Sequence, residues 1–209
     1  MITLWGRGSS ANVQKVMWAL AELNLQFRHV IVGGPYGGTT SEEFKSLNPV
    51  GKIPVFQDDN ITLWESHAIL RYLSRKHGGH LSIKEIDQPF VDQWLDFTAT
   101  YFFPPFVGLF WQLVRTRPSD RSQELIALHT NNLGAALDII DEQLRKSRWL
   151  ATNTFTIADI AAGVTMERCL EIIDLHQNRP NLTRWHGKLA SREAYKTVVA
   201  TSYEELRAK

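Results

Sequence analysis

Two short stretches of this 209-residue sequence carry residue types suited to holding a small acidic peptide. The first is Asn48-Pro49-Val50-Gly51-Lys52-Ile53-Pro54-Val55-Phe56. Pro54 cannot donate to a sheet ladder. It is therefore expected to bend the chain, with a cis Ile53-Pro54 bond, and to leave the Ile53 backbone facing open space. An extended peptide laid there can pair with Ile53 as an added strand. The second stretch, Glu65-Ser66, follows Phe56 by nine residues and opens a helix, where backbone N–H groups hold a carboxylate. Together the two read as a socket for a small acidic peptide.

The elements that must position this socket are legible from period and punctuation. Ile2 to Trp5 is a short apolar run stopped by Gly6, a buried strand. Val13, Val16, Met17, Leu20 and Leu23 recur at helical spacing, predicting a helix over Asn12 to Asn24. Phe27 to Val32 reads as a second strand, ended by Gly33-Gly34. Strand, helix and strand in that order imply a parallel, right-handed crossover. A glycine-rich loop follows over Gly33 to Thr40. Val55–Gln57 and Ile61–Trp64 flank Asp58-Asp59-Asn60 as a hairpin. Ser66 to His77 is helical, with Ile69, Leu70 and Leu73 on one face and Gly78-Gly79 ending it.

Strand signals stop after residue 88. Pro89 suits the first turn of a helix containing Val91, Trp94, Leu95 and Thr98. Pro104-Pro105 is expected to break or kink that helix. Ile126, Leu133, Leu137, Ile140 and Leu144 keep a helical period from Ser122 to Lys146, and two more helices are expected near Ile157–Ile172 and Leu182–Leu189. The predicted organisation is an α/β domain over residues 1–77, a linker over 78–88 and an all-helical domain over 89–209. The helix start at Phe155-Thr156-Ile157-Ala158-Asp159-Ile160 carries a capping pair in Thr156 and Asp159, with Phe155 placed to staple against Ile160. This motif reads as structural.

Composition narrows the function classes. A formal net charge of +1 sets up no field for nucleic acid or an anionic membrane. Cys169 is the one cysteine, which excludes an intrachain disulfide and any Cys-x-x-Cys motif. It falls in a helical stretch and reads as a buried apolar filler. The seven histidines form no His-x-x-x-His pair, so no metal site is expected. No Gly-Lys-Ser/Thr phosphate loop, no apolar run of about 18 residues and no signal-peptide pattern is present. A reducing cytoplasm fits these features.

Three motifs then coincide with one family. Asn-Pro-Val-Gly-Lys-Ile-Pro-Val-Phe, Trp64-Glu65-Ser66-His67-Ala68-Ile69-Leu70-Arg71-Tyr72-Leu73 and Thr156-Ile157-Ala158-Asp159 occur in the order and spacing of the cytosolic glutathione S-transferases, which the whole chain resembles. The resemblance implies a thioredoxin-like N-terminal domain that holds glutathione, an all-α C-terminal domain that completes an electrophile pocket, and a two-fold homodimer. No cofactor beyond glutathione as co-substrate is implied. The stretch Gly6-Arg7-Gly8-Ser9-Ser10-Ala11-Asn12-Val13 resembles the serine-type classes (theta, zeta, phi) and places Ser10 over their thiol-activating serine, with Ser9 and Asn12 as the neighbouring candidates. A serine hydroxyl donating to the thiolate would be a hydrogen-bond donor, neither nucleophile nor base. The competing reading is that Ser9, Ser10 and Asn12 are helix caps.

By the same resemblance, Glu65 would pair with the γ-glutamyl ammonium and Ser66 would hold the α-carboxylate. Lys52 would meet the glycine carboxylate, and Ile53 and Pro54 would shape the peptide edge. Phe102, Phe103, Phe106, Phe110 and Trp111, with Arg115 at the mouth, would line the pocket for a small apolar electrophile. Such an aromatic cluster is otherwise ordinary core. The activity implied is glutathione transfer to an apolar electrophile. Glutathione-dependent peroxide reduction, isomerisation or dehalogenation at the same site, and non-catalytic ligand carriage, remain the alternatives.

Overall fold

The computed structural model describes residues 1–173, 178–199 and 202–208. Strands β1 (Thr3–Trp5), β2 (Arg28–Val30), β3 (Val55–Asp58) and β4 (Ile61–Trp64) form one sheet in the order β2-β1-β3-β4. β1 and β2 are parallel, as the crossover through α1 (Ala11–Glu22) requires, with Leu4 opposite His29. β3 runs antiparallel to both neighbours, with Phe56 opposite Leu4 and Leu63. α3 (Ser66–Lys76) follows the hairpin, and the Gly78 N–H closes it on the Leu73 carbonyl at 3.4 Å. This mixed sheet with its helices is thioredoxin-like.

Two local expectations need correction in this half. β2 is shorter than the predicted Phe27–Val32, because Gly33, at φ 90°, turns the chain away from β1. Within the stretch between the glycine loop and the socket lies α2 (Glu42–Leu47), which periodicity did not reveal. A six-residue helix buries only Phe44, too few points to show a period, although Ser41 Oγ caps it by accepting from the Phe44 N–H at 3.2 Å.

The second half is helical: α4 (Gln88–Phe97), α5 (Phe103–Phe110), α6 (Gln123–Lys146), α7 (Ile157–Leu170), α8 (Pro180–Ala190) and α9 (Glu193–Val198). The segment between, over 78–88, holds short 3₁₀ turns. Pro104-Pro105 does not break the chain's helical course. The prolines fall in the first turn of α5, where their missing N–H groups cost little. A π-turn at Thr98–Phe102 precedes them, and the Phe103 N–H reaches five residues back to the Thr98 carbonyl. A second π-turn, Trp111–Arg115, follows α5. α9, again six residues long, carried too little pattern to be expected.

α7 is buried along nearly its whole length and fastens the two halves together. A Cβ on Gly163 would stand 2.6 Å from Leu189 and 3.1 Å from Trp18, so only glycine lets α7 approach both α8 and α1. Trp18 of α1 is fully buried and meets Tyr195 of α9 edge-on at 4.9 Å and Phe155 at 5.7 Å. Phe155 is thus flanked by the rings of Trp18 and Trp149. Glu22 and Arg192 (2.6 Å) and Arg71 and Asp92 (2.5 Å) add ion pairs across the same junction. Among the described residues no helix is long and apolar enough to cross a membrane.

Candidate active site

The turn after β1 delivers its side chains into a cleft between the two halves. Gly6, at φ 144°, allows a close approach, since a Cβ there would stand 2.4 Å from Val13 and 3.3 Å from Ile53. Ser10 then takes the N-cap position of α1, with φ −80° and ψ 123°. Its side chain makes no cap hydrogen bond and lines a cavity of about 310 Å³. Ser10 Oγ therefore has no partner among the described residues, which the plain capping reading does not account for.

Its neighbours are committed elsewhere. Ser9 Oγ donates to Glu205 near the C-terminus and accepts from Arg7 at 3.3 Å. Asn12 Oδ1 accepts from Lys15 Nζ at 3.1 Å and from Ser66 Oγ at 3.4 Å. Of the three polar candidates, Ser10 alone presents an unengaged hydroxyl. Ser9, Ser10 and Asn12 all line the cavity, together with Lys52.

The socket residues adopt the conformations their types suggest. The Ile53-Pro54 bond is cis. The Asn48 side chain organises the loop before it, accepting from the Val50 N–H at 3.0 Å and donating to the Lys52 carbonyl at 2.7 Å. The Ile53 backbone N–H and C=O take no partner among the described residues, leaving an open edge before β3. Glu65 stands at φ 71° and ψ 114° with its side chain exposed, and Ser66, the first residue of α3, is 5% exposed. Among the described residues Glu65 is the non-glycine residue furthest into positive φ, and such strain concentrates at binding sites.

Beneath Asn12 lies a buried group that periodicity had passed over. Lys15 is 1% exposed, with Nζ 3.2 Å from His67 Nε2 and 4.4 Å from the Phe103 ring centre. Burial pulls its ammonium down to about 7, against the opposing pull of Glu65. Burial and the Lys15 charge hold His67 well below its ordinary value. A lysine between Val13 and Val16 reads as an interruption of the apolar stripe; its burial depends on Phe103 arriving from the other domain.

The cavity's other wall comes from α5 and the turn after it. Phe103, Phe106, Val107, Phe110, Trp111 and Arg115 line it. Phe102 does not; it is fully buried in the core, because the π-turn rotates it away from the cleft. Outside the sequence-derived set, Arg7, Arg168 of α7 and the C-terminal residues Tyr203 and Leu206 also line the cavity. The C-terminal segment is tied across the cleft by Glu205, which also accepts from Tyr36 OH at 2.8 Å, and by the Ala208 N–H on the Val114 carbonyl at 2.8 Å. Long-range contacts of this kind leave no local signal in a sequence.

A thioredoxin-like domain facing a helical domain across a cleft, with a cis-proline edge and a serine at the first helix, defines a recognisable class. Residues 1–75 match the family described as glutathione S-transferase, N-terminal domain, and residues 94–193 match glutathione S-transferase, C-terminal domain. The chain belongs to the glutathione S-transferase family. It is 34% identical to glutathione S-transferase GstB of Escherichia coli (strain K12), over 95% of this chain and 98% of that one. It is 33% identical to glutathione S-transferase F13 of Arabidopsis thaliana, over 93% of each. Its fold superposes with a TM-score of 0.92 on the theta class glutathione S-transferase of Xanthomonas axonopodis pv. citri with glutathione bound, at 33% identity over 96% of this chain and 98% of that one.

Proposed function

We propose that this protein binds glutathione along the Ile53 edge and activates its thiol at Ser10 for attack on an electrophile whose body is apolar. The unengaged Ser10 hydroxyl, on the cavity wall at the start of α1, carries this reading. The thiolate, not the thiol, attacks, and a free thiol of pKa about 8.5 is only slightly ionised at neutral pH. A hydroxyl hydrogen bond to an ionised group is worth ~1.5–3 kcal/mol, enough to lower that pKa by roughly one to two units. The N-terminus of α1 adds a favourable dipole. The thiol proton leaves to solvent, and Ser10 remains a donor throughout.

The open N–H and C=O of Ile53 support strand-like pairing of the peptide backbone. Glu65 is assigned to the γ-glutamyl ammonium, Ser66 and the start of α3 to the α-carboxylate, and Lys52 to the glycine carboxylate. Phe103, Phe106 and Phe110 give the electrophile an apolar wall. We further propose that the protein works in the cytoplasm as a homodimer; large exposed apolar side chains on both domains, Ile61 and Trp64 on β4 and Phe90 and Tyr101 on the helical side, support the dimer. The test of the thiol chemistry is the ultraviolet thiolate absorbance of bound glutathione, titrated against pH, alongside a turnover screen over halo-aromatics, hydroperoxides, epoxides and enones. A bound thiol that titrates as free glutathione does would refute the activation, and turnover of hydroperoxides alone would move the function to peroxide reduction.

A further inference from the structure

The cavity beside Ser10 is aromatic, but it is not neutral. Arg7 from the turn after β1, Arg115 from the turn after α5 and Arg168 from α7 all line it. Carboxylates answer only part of this charge. Arg168 pairs with Glu171 at 2.8 Å and donates to the Ser9 carbonyl at 3.4 Å. Glu205 spends its two oxygens on Ser9 and Tyr36 and acts on Arg7 only at a distance.

Arg7 is 8% exposed, and its Nε is buried without a hydrogen-bond partner. Arg115 is half-buried and forms no ion pair among the described residues; its guanidinium lies 4.8 Å from the Trp111 ring centre and 6.0 Å from that of Phe110. Burial lowers both arginines below their ordinary values, and for Arg7 the charges of Arg115 and Arg168 add to it. A cation drawn out of water with no carboxylate in contact with it is held at a cost. An incoming carboxylate would remove that cost, and the planar guanidinium fork matches a carboxylate with two parallel N–H bonds.

We infer that the second substrate is an aromatic electrophile bearing a carboxylate, its ring against Phe103, Phe106 and Phe110 and its carboxylate on Arg115, with Arg7 behind. The inference rests on the transfer reading above and narrows its substrate class. For a halo-nitrobenzoate the step balances simply. The glutathione thiolate attacks the ring carbon that bears chlorine, the C–S bond forms, the C–Cl bond breaks, and chloride leaves with the electron pair. The carboxylate keeps its charge throughout, so the guanidinium binds reactant and product alike.

The experiment compares 4-chloro-3-nitrobenzoate with its neutral isostere 4-chloro-3-nitrobenzamide. Each kcat/KM is divided by that compound's uncatalysed rate with glutathione, which removes the difference in intrinsic reactivity. The wild-type protein should favour the acid by about tenfold or more, the scale of a charge-assisted hydrogen bond. Arg115→Gln should erase most of that preference, chiefly through KM of the acid, and Arg115→Lys should restore part of it. Arg115 is the side chain to change, because replacing the deeply buried Arg7 would disturb the fold as well. Turnover of the amide as good as or better than that of the acid would overturn the inference and leave glutathione transfer standing. So would an acid preference that survives in Arg115→Gln. Turnover of neither compound would overturn both this inference and the transfer to halo-aromatics on which it rests.

Discussion

Lys15 Nζ lies 3.1 Å from Asn12 Oδ1, the same oxygen that Ser66 Oγ approaches at 3.4 Å. One buried lysine on α1 thus connects the turn bearing Ser10 to the start of α3. The groups facing it are His67 at 3.2 Å, the charge of Glu65 and the ring of Phe103. With its ammonium lowered to about 7 by burial, this group gives stability a definite pH dependence. Below pH 7 the folded and unfolded chains both hold the proton, and the folded chain bears the full cost of burying it. Between about 7 and the ordinary 10.5 the unfolded chain alone keeps the proton, so stability rises with pH by ~1.4 kcal/mol per unit from this group. Urea unfolding of the wild type and Lys15→Met at pH 6.5, 7.5 and 8.5 checks this. The wild type should gain on the variant as pH rises, and parallel profiles would show that Lys15 does not titrate in this range.

Ser9 and Ser10 should separate cleanly on substitution. Ser10→Ala should raise the pKa of bound glutathione by roughly one to two units and lower turnover at neutral pH, with partial recovery at higher pH. Ser9→Ala should leave that titration in place and instead release Glu205, loosening the C-terminal segment and raising KM for the second substrate. Thiolate absorbance and steady-state kinetics read the two effects separately. A shift in Ser9→Ala without one in Ser10→Ala would exchange the roles.

Glu65 combines a strained backbone, φ 71°, with an exposed carboxylate. Glu65→Ala should weaken glutathione binding by ~2–5 kcal/mol if the carboxylate meets the ammonium away from water. Glu65→Gly should weaken binding similarly while leaving the unfolding midpoint no lower, because glycine tolerates that backbone. Calorimetry and thermal unfolding together decide the point. Unchanged affinity in both variants would remove Glu65 from the socket.

Asp159 organises the start of α7 without touching the cleft. Its carboxylate accepts from the Leu150 N–H at 3.0 Å, the Thr156 N–H at 3.0 Å and Trp185 Nε1 at 2.9 Å. Thr156→Ala removes a cap and should cost about 0.5–2 kcal/mol. Asp159→Ala strands these buried donors and the Thr156 hydroxyl, which also donates to Asp159 at 3.2 Å, and should cost at least about 3 kcal/mol. Specific activity per folded molecule should hold in Thr156→Ala. Lost turnover at an unchanged unfolding midpoint would assign this motif to chemistry.

The chain order of strands and helices, the cis Ile53-Pro54 bond and the capping pair of Thr156 and Asp159 were legible in the sequence because each is a local matter. Period, proline and capping chemistry act within a few residues, and the three motifs lie far enough apart to fix the family. Short α2 and α9 escaped for the same reason in reverse, having too few buried positions to make a pattern. The direction of Phe102 depended on the π-turn that precedes Pro104-Pro105, so a cluster of aromatic residues could not by itself reveal which ring faces the cleft. Lys15, Arg7 and Arg168 acquired their settings only when helices from the two domains closed over them, and Glu205 reaches Ser9 across 196 residues of chain. Sequence alone therefore determined the scaffold and the cis-proline edge. Tertiary structure decided which hydroxyl stands unengaged and which charges share its cavity, because burial and pairing are set by contacts between residues remote in the chain.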